Sequence, residues 1–539
     1  MTSPVILSTI GLPLPPRRRT AAGSIACWLH WPGSIRASPW EKLTEPWVNC
    51  RPIFPRPERH RVPTPANSRP TIPRGDSLPQ LPGFFRHLKE SDFTFDSLLD
   101  LFPDTTLTGR DSSRQAAYRL SASESGKRAH QLARLWLLRE PLSRQDWDSL
   151  LGCDVVEQGL ELGLINGTLR THLEACFDVQ PAVGDLFLTD PKFRHTWESD
   201  KHGVYYLGSD SYALAYTVPR QEIEDTLDLF SGSGIHAVLA ASHSRRVVGV
   251  DINPRAVSMG YANAALNQKT NICTFLQGNL FQPVNGRKFD LITANPPFVP
   301  TPDQDLALYR SGGESGELLT AEVLEKLHLY LKPGGMLAMV TNYPVFQDRG
   351  ILEHHRSLLG EPERFGIALL HSYTFPREMY IQMHLAPTGD PVKDAKDQQR
   401  WLESYHRQKI KGMGFGVLFF CHLPEGEAWS VRKDNVNLVH KPMSTEVARW
   451  LQGAREFGPG RSLPEKLVFH PDCRLYQEQR TGQGVIGWDS EWPPLKLSAQ
   501  ETETACRMME NEPFSPAPEN ETLIRKLGSE GALQSISTL

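Results

Sequence analysis

Alternating apolar strands and amphipathic helices in the middle of the chain predict an α/β fold with a mostly parallel sheet. Residues 226–230, 246–251 and 289–294 are short apolar runs bounded by turn-forming residues, which is typical of buried strands. Residues 235–241 and 317–331 carry apolar side chains at helical spacing. Because helices separate these strands along the chain, the strands can lie parallel in one sheet.

The loop after the first of these strands is rich in glycine. Gly232 and Gly234 allow the backbone to approach a ligand closely, and the N-terminus of the following helix favours electron-rich groups. Asp251 ends the next strand, near the offset expected for a carboxylate that binds ribose hydroxyls. Ala237 replaces the third glycine of a G-x-G-x-x-G loop. A nicotinamide dehydrogenase could share these features.

A tetrad, Asn295-Pro296-Pro297-Phe298, follows the strand at 289–294. The amide oxygen of Asn295 can accept a hydrogen bond from an NH2 group, and two consecutive prolines stiffen the loop that carries it. Phe298 offers a flat face on which a planar amide or base could lie. A proline-rich turn without function is the alternative, but a dehydrogenase would have no use for this tetrad.

Five motifs follow one another in the chain. They are DLFSGSG from Asp228, GVDINP from Gly249, GNLF from Gly278, NPPF from Asn295 and KPGG from Lys332. Their order resembles that of the class I methyltransferases, which use S-adenosylmethionine as the methyl donor. The resemblance implies a Rossmann-like sheet of seven strands, most of them parallel.

Two segments narrow the resemblance to the small-domain type of this class. NPPFVPTP from Asn295 and YRSGGESGELL from Tyr309 are most similar to the release-factor glutamine methyltransferases. Those enzymes carry a tyrosine at the position of Phe298 and a Gly-Gly-x-x-Gly segment like residues 312–316. The resemblance covers about residues 200–345 and is more specific for the enzyme class than for the substrate.

The resemblance implies a set of residues that bind S-adenosylmethionine: Phe230, Gly232, Gly234, Asp251, Ile252, Asn279, Leu280 and Asn295. The first three would line the methionine and ribose portion. The aspartate would bind the ribose hydroxyls, the isoleucine would press on the adenine face, and residues 279–280 would hold the adenine edge. The family usually has an aspartate at 279, and asparagine keeps an acceptor oxygen but removes the charge. Residues 208–211 resemble the family segment that covers the methionine end, although a plain loop fits equally well.

The catalytic residues implied by the resemblance are Asn295, Pro296, Pro297 and Phe298. An amide nitrogen is a poor nucleophile because its lone pair is delocalised. The Asn295 side chain and the Pro296 carbonyl would accept its two hydrogens, which makes the nitrogen more electron-rich, and a preorganised pair of acceptors acts strongly. The motif contains no general base, and the proton can leave after methyl transfer.

Three hypotheses about function remain open at this point. The first is methylation of a glutamine side chain in a protein such as a translation release factor. The second is methylation of an exocyclic amine of adenine or guanine in RNA or DNA, because Phe298 is common among base methylases; the target base would be flipped out of a duplex. A net charge of −11 outside the first 80 residues weakens this second hypothesis. The third is a catalytically inactive binding module.

The first 80 residues differ in composition from the rest of the chain. They hold 15 of the 43 prolines and carry 11 Lys or Arg against 4 Asp or Glu. Such a segment cannot bury a core, so we expect residues 1–83 to be a disordered, Pro/Arg-rich leader. A targeting peptide or a start-site artefact would share this composition, although the prolines oppose the amphipathic helix of a targeting peptide.

Four further regions follow the leader. Residues 84–195 predict a small helical, winged-helix-like domain, in which residues 168–179 and 183–189 would form a hairpin. Its third helix is acidic, which favours a brace or a protein contact over nucleic-acid binding. Residues 196–425 form the predicted catalytic domain, with a candidate substrate lid at about 376–410. We expect 426–500 to be an extension of unknown role and 501–539 to be a flexible tail.

Composition sets limits on location and partners. The chain has no apolar run long enough to span a membrane. Its eight cysteines include no C-x-x-C pair, and its histidines are dispersed, so we expect no metal and a reducing compartment, the cytoplasm. The expected partner is a macromolecular substrate, protein rather than RNA or DNA, and the oligomeric state is left open.

Overall fold

The structure, a computed structural model, describes residues 70–102, 114–169, 172–192, 203–302, 312–385, 388–424, 428–458, 461–488, 490 and 492–535. Residues 1–69 of the predicted leader therefore lie outside the described residues. The last part of the predicted leader, from residue 70 onward, is structured. Gly75–Gln80 form a 3-10 helix, and Ile72 and Leu81 are buried in the core. The boundary predicted at residue 83 is thus too late.

Seven helices open the described chain: α1 (Leu81–Phe84), α2 (Arg86–Lys89), α3 (Phe95–Leu99), α4 (Gln115–Glu124), α5 (Arg128–Trp136), α6 (Arg144–Leu151) and α7 (Cys153–Glu161). Helix α6 begins with a capping box, in which the Ser143 hydroxyl accepts from the Asp146 N–H at 3.1 Å. Trp136 and Trp147 are fully buried and meet edge to face with ring centroids 5.7 Å apart.

Five strands complete this region: β1 (Leu142–Ser143), β2 (Ile165–Leu169), β3 (His172–Ala175), β4 (Asp178–Ala182) and β5 (Asp185–Thr189). The first three form a sheet in the order β1-β3-β2, and β4 pairs with β5 alone. The predicted single strand over 168–179 is wrong, and Gln180 lies inside β4. The tight turn comes later, where Val183 and Gly184 both have positive φ, as a two-residue hairpin turn requires. The winged-helix likeness stays a prediction.

The central sheet has eight strands, of which β6 to β12 are the seven expected ones: β6 (Ile223–Leu229), β7 (Ser244–Asp251), β8 (Cys273–Gln277), β9 (Phe289–Ala294), β10 (Leu331–Phe346), β11 (Phe365–Pro376) and β12 (Ile410–His422). With the edge strand β13 (Ser430–Lys433), the order is β13-β11-β12-β10-β9-β6-β7-β8. Only β12 runs antiparallel to its neighbours. The predicted α/β class with a mostly parallel sheet is confirmed.

Seven helices connect or flank these strands: α8 (Ser209–Thr217), α9 (Ile235–Ala240), α10 (Pro254–Leu266), α11 (Leu318–Tyr330), α12 (Ile351–Ser357), α13 (Arg377–His384) and α14 (Pro391–Arg407). Helices α13 and α14 form the insert between β11 and β12. Short 3-10 helices lie at Gln282–Val284 and Pro362–Arg364. No helix among the described residues has the length and apolarity needed to cross a membrane.

The C-terminal part is ordered as far as residue 535, so the predicted flexible tail over 501–539 is wrong up to that point. Its elements are α15 (Ser444–Phe457), β14 (Leu467–Phe469), β15 (Cys473–Gln477), β16 (Gly484–Trp488), β17 (Leu495–Leu497), α16 (Ala499–Glu510), α17 (Glu521–Ser529) and β18 (Leu533–Ser535). The segment is polar on average, but it contains apolar residues at helical spacing, and Ile524 and Leu527 of α17 are fully buried. Strand β18 pairs with β14.

The predicted boundary at 425 also changes. Strand β13 lies beyond it and pairs in parallel with β11, from Ile367 opposite Ser430 to Leu370 opposite Lys433. The preceding Trp429 carbonyl accepts from the Ile367 N–H at 2.9 Å. An edge strand of four residues is too short for its sequence to show a clear alternation of apolar and polar residues, so only its pairing with β11 identifies it. The region predicted to be an extension therefore supplies one strand of the central sheet.

The N-terminal region is fastened to the central domain through helix α10. Asn263 accepts from the Leu188 N–H at 2.7 Å and donates to the Leu188 carbonyl at 2.9 Å. Asn267 makes the same two bonds to Leu186, at 3.2 and 2.8 Å. Two asparagine side chains thus occupy the hydrogen-bonding edge of β5 as a neighbouring strand would. Because all four residues are buried or nearly so, this contact holds the hairpin rigidly on α10.

Candidate active site

A cavity of about 640 Å³ opens at the carboxyl ends of β6, β7 and β9. Strand β6 lies between β7 and β9, so the chain order reverses beside it, and ligands of open α/β sheets bind at such a point. Most residues predicted to bind cofactor or substrate line this cavity: Phe230, Gly232, Asp251, Ile252, Asn279, Leu280, Asn295, Pro296, Pro297 and Phe298. The structure therefore brings together motifs that are up to 68 positions apart in the chain.

The glycine loop after β6 is tied to the acid that ends β7. The Gly232 N–H donates to Oδ2 of Asp251 at 2.8 Å, and the Asn253 N–H donates to Oδ1 at 2.8 Å. Burial raises the pKa of Asp251, while these backbone donors act against the rise. Each carboxylate oxygen keeps a lone pair for a further donor, as a pair of hydroxyls would require.

Gly234 does not line the cavity, in contrast to its predicted role. It has a φ of +78°, and a Cβ there would lie 2.9 Å from the Cα of Gly260 and 2.9 Å from the Phe275 ring. The absence of a side chain lets helix α9 start close against α10 and β8. Gly234 shapes the loop and its packing, and its neighbours Gly232 and Ser233 meet the cavity.

Asp228, the first residue of the glycine-loop motif, lies buried beneath the loop. It accepts from the Thr293 hydroxyl at 2.8 Å and from the Ala237 N–H at 3.1 Å, and so joins β6, β9 and α9. Burial raises the pKa of this carboxyl to about 7. The sequence analysis assigned it no role, although an acid in the middle of an apolar strand is a signal of a buried polar contact.

The far end of the cavity contains Ile252, Asn279 and Leu280 together. Ile252 is 54% exposed, which leaves its side chain available to a flat ligand. Leu280 is buried with a φ of +48°, a strained backbone of the kind that is found at ligand sites. The Gly278 N–H donates to the Asp251 carbonyl at 3.0 Å and sets the distance between the two loops.

Asn295 meets an acid that is far away in the chain. Its Nδ2 donates to Oδ2 of Asp210 at 2.7 Å. Asp210 lies in the first turn of α8 and is 5% exposed. Burial raises the pKa of Asp210, and the hydrogen bond from Asn295 acts in the opposite direction. A plain loop was an equally good prediction for residues 208–211. In the structure this segment is the start of α8, and Asp210 holds the tetrad through Asn295.

The glycine segment 312–316 supports the tetrad loop from the other side. The Gly312 N–H donates to the Val299 carbonyl, and the Thr301 N–H donates to the Gly313 carbonyl, each at 3.0 Å. Gly316 has a φ of +80°, and a Cβ there would lie 2.6 Å from the Phe298 carbonyl oxygen. Residues 303–311, which include the predicted Tyr309 motif start, lie outside the described residues.

Two polar side chains on the cavity wall were not predicted. Ser231 Oγ and His236 Nε2 are buried and have no hydrogen-bond partner among the described residues. Burial lowers the pKa of His236 to about 3, so its ring is neutral. Buried polar atoms without a partner are rare in proteins, and a polar ligand in the cavity would satisfy them.

The wall formed by residues 203–207 was also missed. Gly203, Val204, Tyr205, Tyr206 and Leu207 all line the cavity. Gln180 of β4 holds this wall, since its Nε2 donates to the Leu207 carbonyl at 3.2 Å and its Oε1 accepts from the Leu207 N–H at 3.1 Å. The N-terminal region therefore braces the catalytic cavity, as one of its two predicted roles requires.

A second fastening of the same wall involves Asp190, which follows β5. It accepts from the Val204 N–H at 2.8 Å and forms a two-pronged ion pair with Arg255 at 2.5 and 2.9 Å. Arg255 also donates to the Pro70 carbonyl at 2.9 Å. Both charged side chains are mostly buried, so breaking this pair would leave an unpaired buried charge.

The sequence model of the methyltransferase small domain matches residues 203–355, which include all residues that line the cavity except Lys192, Met383 and His384. A provisionally named protein N5-glutamine methyltransferase of Methanocaldococcus jannaschii is 34% identical over 143 residues, which are 25% of this chain and 71% of that protein. The chain belongs to the methyltransferase small-domain family. The predicted membership of the class I methyltransferases is confirmed.

Two bacterial relatives of this small-domain methyltransferase match shorter shares of their own length. The release factor glutamine methyltransferase of Geobacter sulfurreducens is 33% identical over 21% of this chain and 43% of that protein. The ribosomal protein uL3 glutamine methyltransferase of Bradyrhizobium diazoefficiens is 30% identical over 24% of this chain and 45% of that protein. The chain thus spans less than half the length of either bacterial relative. Family and fold imply the use of S-adenosylmethionine.

Proposed function

We propose that this methyltransferase transfers a methyl group from S-adenosylmethionine to the side-chain amide nitrogen of a glutamine in a protein. The contact between Asn295 and Asp210 carries the proposal. Asp210 accepts from Nδ2 of Asn295, which leaves Oδ1, the acceptor atom of the amide, for a ligand in the cavity. The names of the relatives, which act on glutamine in release factors and in ribosomal protein uL3, support glutamine as the target.

The cofactor would lie along the cavity from the glycine loop to Asn279. Phe230 and Gly232 would contact its methionine and ribose portion, and Asp251 would accept from both ribose hydroxyls with its two oxygens. The exposed side chain of Ile252 would cover the adenine face, with residues 279–280 at the adenine edge. The unpartnered Ser231 Oγ and His236 Nε2 fit a polar ligand at the same wall.

The bound cofactor supplies an electrophilic methyl group, and the chain's own residues prepare the acceptor nitrogen. Asn295 Oδ1 and the Pro296 carbonyl would each accept one hydrogen of the glutamine amide, which orients the nitrogen and raises its electron density. The new N–C bond forms as the S–C bond breaks, and the nitrogen then releases one proton to water. Asp210 contributes by fixing the orientation of the Asn295 amide.

Charge on the cavity wall favours a protein over a nucleic acid as the substrate. Among the described residues that line the cavity, Lys192 is the one lysine or arginine, and Asp210 and Asp251 are acidic. Phosphate contacts supply most of the affinity of nucleic-acid-binding proteins, and this wall offers little to a phosphate backbone. Helix α7 carries Asp154, Glu157 and Glu161 without a basic residue, so it would not compensate. We place this activity in the cytoplasm.

A methyl-transfer assay tests the proposal. The full chain is incubated with whole-cell extract and tritiated S-adenosylmethionine, and the label is divided by protease and by nuclease digestion. We expect protease-sensitive label that mass spectrometry assigns to glutamine. Asn295→Ala should abolish the label while titration calorimetry still detects binding of S-adenosylmethionine.

Other results would count against the proposal in distinct ways. Nuclease-sensitive label would move the substrate to RNA or DNA. Absence of cofactor binding by the wild type would make the chain a binding module. Asp210→Asn keeps an acceptor for Asn295 but removes the charge, so we expect about a tenfold loss of kcat with KM little changed. Equal activity of this variant and the wild type would remove the positioning role of Asp210.

A further inference from the structure

Helix α13, in the insert between β11 and β12, exposes an apolar face to solvent. Met379 and Met383 are four residues apart, so they share a face of the helix, and they are 50% and 54% exposed. Met379 and Met383 are called the methionine face below. They are among the few large apolar side chains that the described part of the chain leaves exposed.

The opposite side of α13 is firmly anchored beside the catalytic tetrad. Tyr380 and Ile381 are fully buried in a small core that also includes Val299, with Phe298 packed against it. The Asn342 side chain donates to the Tyr380 hydroxyl at 3.0 Å and ties the helix to β10. The methionine face is therefore held at a fixed position relative to Asn295, and its exposure does not come from a loose helix.

The methionine face adjoins the mouth of the catalytic cavity. Met383 lines that cavity together with Asn295 and Phe298. A substrate group that reaches Asn295 therefore comes close to Met383.

The chemistry of the face suits an uncharged peptide. Methionine side chains are flexible and polarisable, and they adapt to apolar partners of different shape. On α13 itself the one basic residue other than histidine is Arg377, and it is paired with Glu378 at 2.6 Å. The face thus offers no free cation to a phosphate or to an acidic side chain.

We propose that the methionine face is a docking surface for an apolar side chain that flanks the methylated glutamine in the protein substrate. This inference rests on the proposed function and adds a substrate preference to it: an extended, uncharged segment with an apolar residue beside the glutamine. Met379 and Met383 would hold that residue while the glutamine side chain enters the cavity.

Methyl NMR on the full chain with labelled methionine methyl groups tests the proposal. The signals of Met379 and Met383 are assigned from single Met→Leu variants. The probes are three short peptides with one central glutamine flanked by leucine, aspartate or lysine, and a short single-stranded oligoadenosine. We expect the leucine-flanked peptide to shift both signals and to bind about tenfold more tightly than either charged peptide.

The variant M379Q/M383Q should weaken binding of the leucine-flanked peptide by roughly tenfold. Leu329→Gln is the matched control, since Leu329 lies on the outer side of α11 and is 53% exposed, and it should leave peptide binding unchanged. No shift with the leucine-flanked peptide, equal binding of a charged peptide, or a shift with oligoadenosine alone would each overturn the docking surface. A titration with S-adenosylmethionine alone separates the two claims: if it does not bind and the peptide shifts persist, the proposed function fails and the docking surface stands.

Discussion

Replacing Gln180 with leucine should weaken cofactor binding even though Gln180 is not part of the cavity. Gln180 is fully buried in β4, and its side chain makes two hydrogen bonds to the backbone of Leu207, at 3.1 and 3.2 Å. Leu207 ends the wall 203–207 that lines the cavity. Leucine has a similar volume but no polar atom, so the N–H and the carbonyl of Leu207 would lose these partners.

The size of the effect follows from those two bonds. A buried donor or acceptor that is left unpaired costs about 1–3 kcal/mol, so two such groups cost about 2–6 kcal/mol. If the wall stays in place, this cost lowers the free energy of unfolding. If the wall detaches and its backbone reaches water, the free energy of unfolding changes less, but the cavity loses the wall that binds the cofactor. In that case we expect the affinity for S-adenosylmethionine to fall by about tenfold to a hundredfold.

Titration calorimetry with S-adenosylmethionine and urea unfolding measure the two parts separately. Gln131→Leu is the matched control, because Gln131 donates to the Ala122 and Ser125 carbonyls at 2.9 and 2.8 Å in the same region but away from the cavity. It should lower stability and leave cofactor affinity unchanged. Equal cofactor affinities for the two variants would refute the reasoning, since the hairpin β4–β5 would then contribute only to packing.

Three further predictions concern stability. The pKa of about 7 for Asp228 means that the folded chain keeps a proton that the unfolded chain loses above about pH 4. The free energy of unfolding should therefore fall between about pH 4 and pH 7, by up to about 1.4 kcal/mol per pH unit. Asp228→Asn should remove that slope in urea titrations, and an unchanged slope would contradict the burial argument. Gly234→Ala should destabilise the chain by about 2–4 kcal/mol through its positive φ and the contact with Phe275, and a loss below about 1 kcal/mol would show that α9 can move away. Ile524→Ala should cost about 2–5 kcal/mol because Ile524 is fully buried, whereas a loose C-terminus would make this change neutral.

Several features could be predicted because they are local in the chain. The strand at Phe289–Ala294 and the helix start at Ile235 occur within a residue of their predicted positions, since apolar runs and glycine turns act over a few residues. Asp251 and Asn295 meet in one cavity because both follow parallel strands, and the carboxyl ends of such strands lie at one edge of a sheet. The roles of these residues toward the cofactor remain predictions.

Other features depend on contacts between distant parts of the chain. The edge strand β13 is recognisable only beside β11, and the C-terminal helix α17 is polar in composition yet buries Ile524. The turn of the hairpin predicted between residues 179 and 183 lies later, at Val183 and Gly184, which both have positive φ. Composition and single residues predict secondary structure poorly where strand pairing or burial determines it.

The sequence by itself determined the fold class, the position of the cavity and part of its lining, because the glycine loop, Asp251 and the Asn295 tetrad each lie at the end of a strand whose apolar pattern is plain. Only the tertiary structure decided that Asp210 orients Asn295, that Gln180 holds the cavity wall, and that Met383 stands at the mouth. Asp210 and Asn295 are separated by 85 positions, and no local pattern pairs them. Such partners are chosen by how helices and hairpins pack on the sheet, where burial makes each unpaired polar group costly.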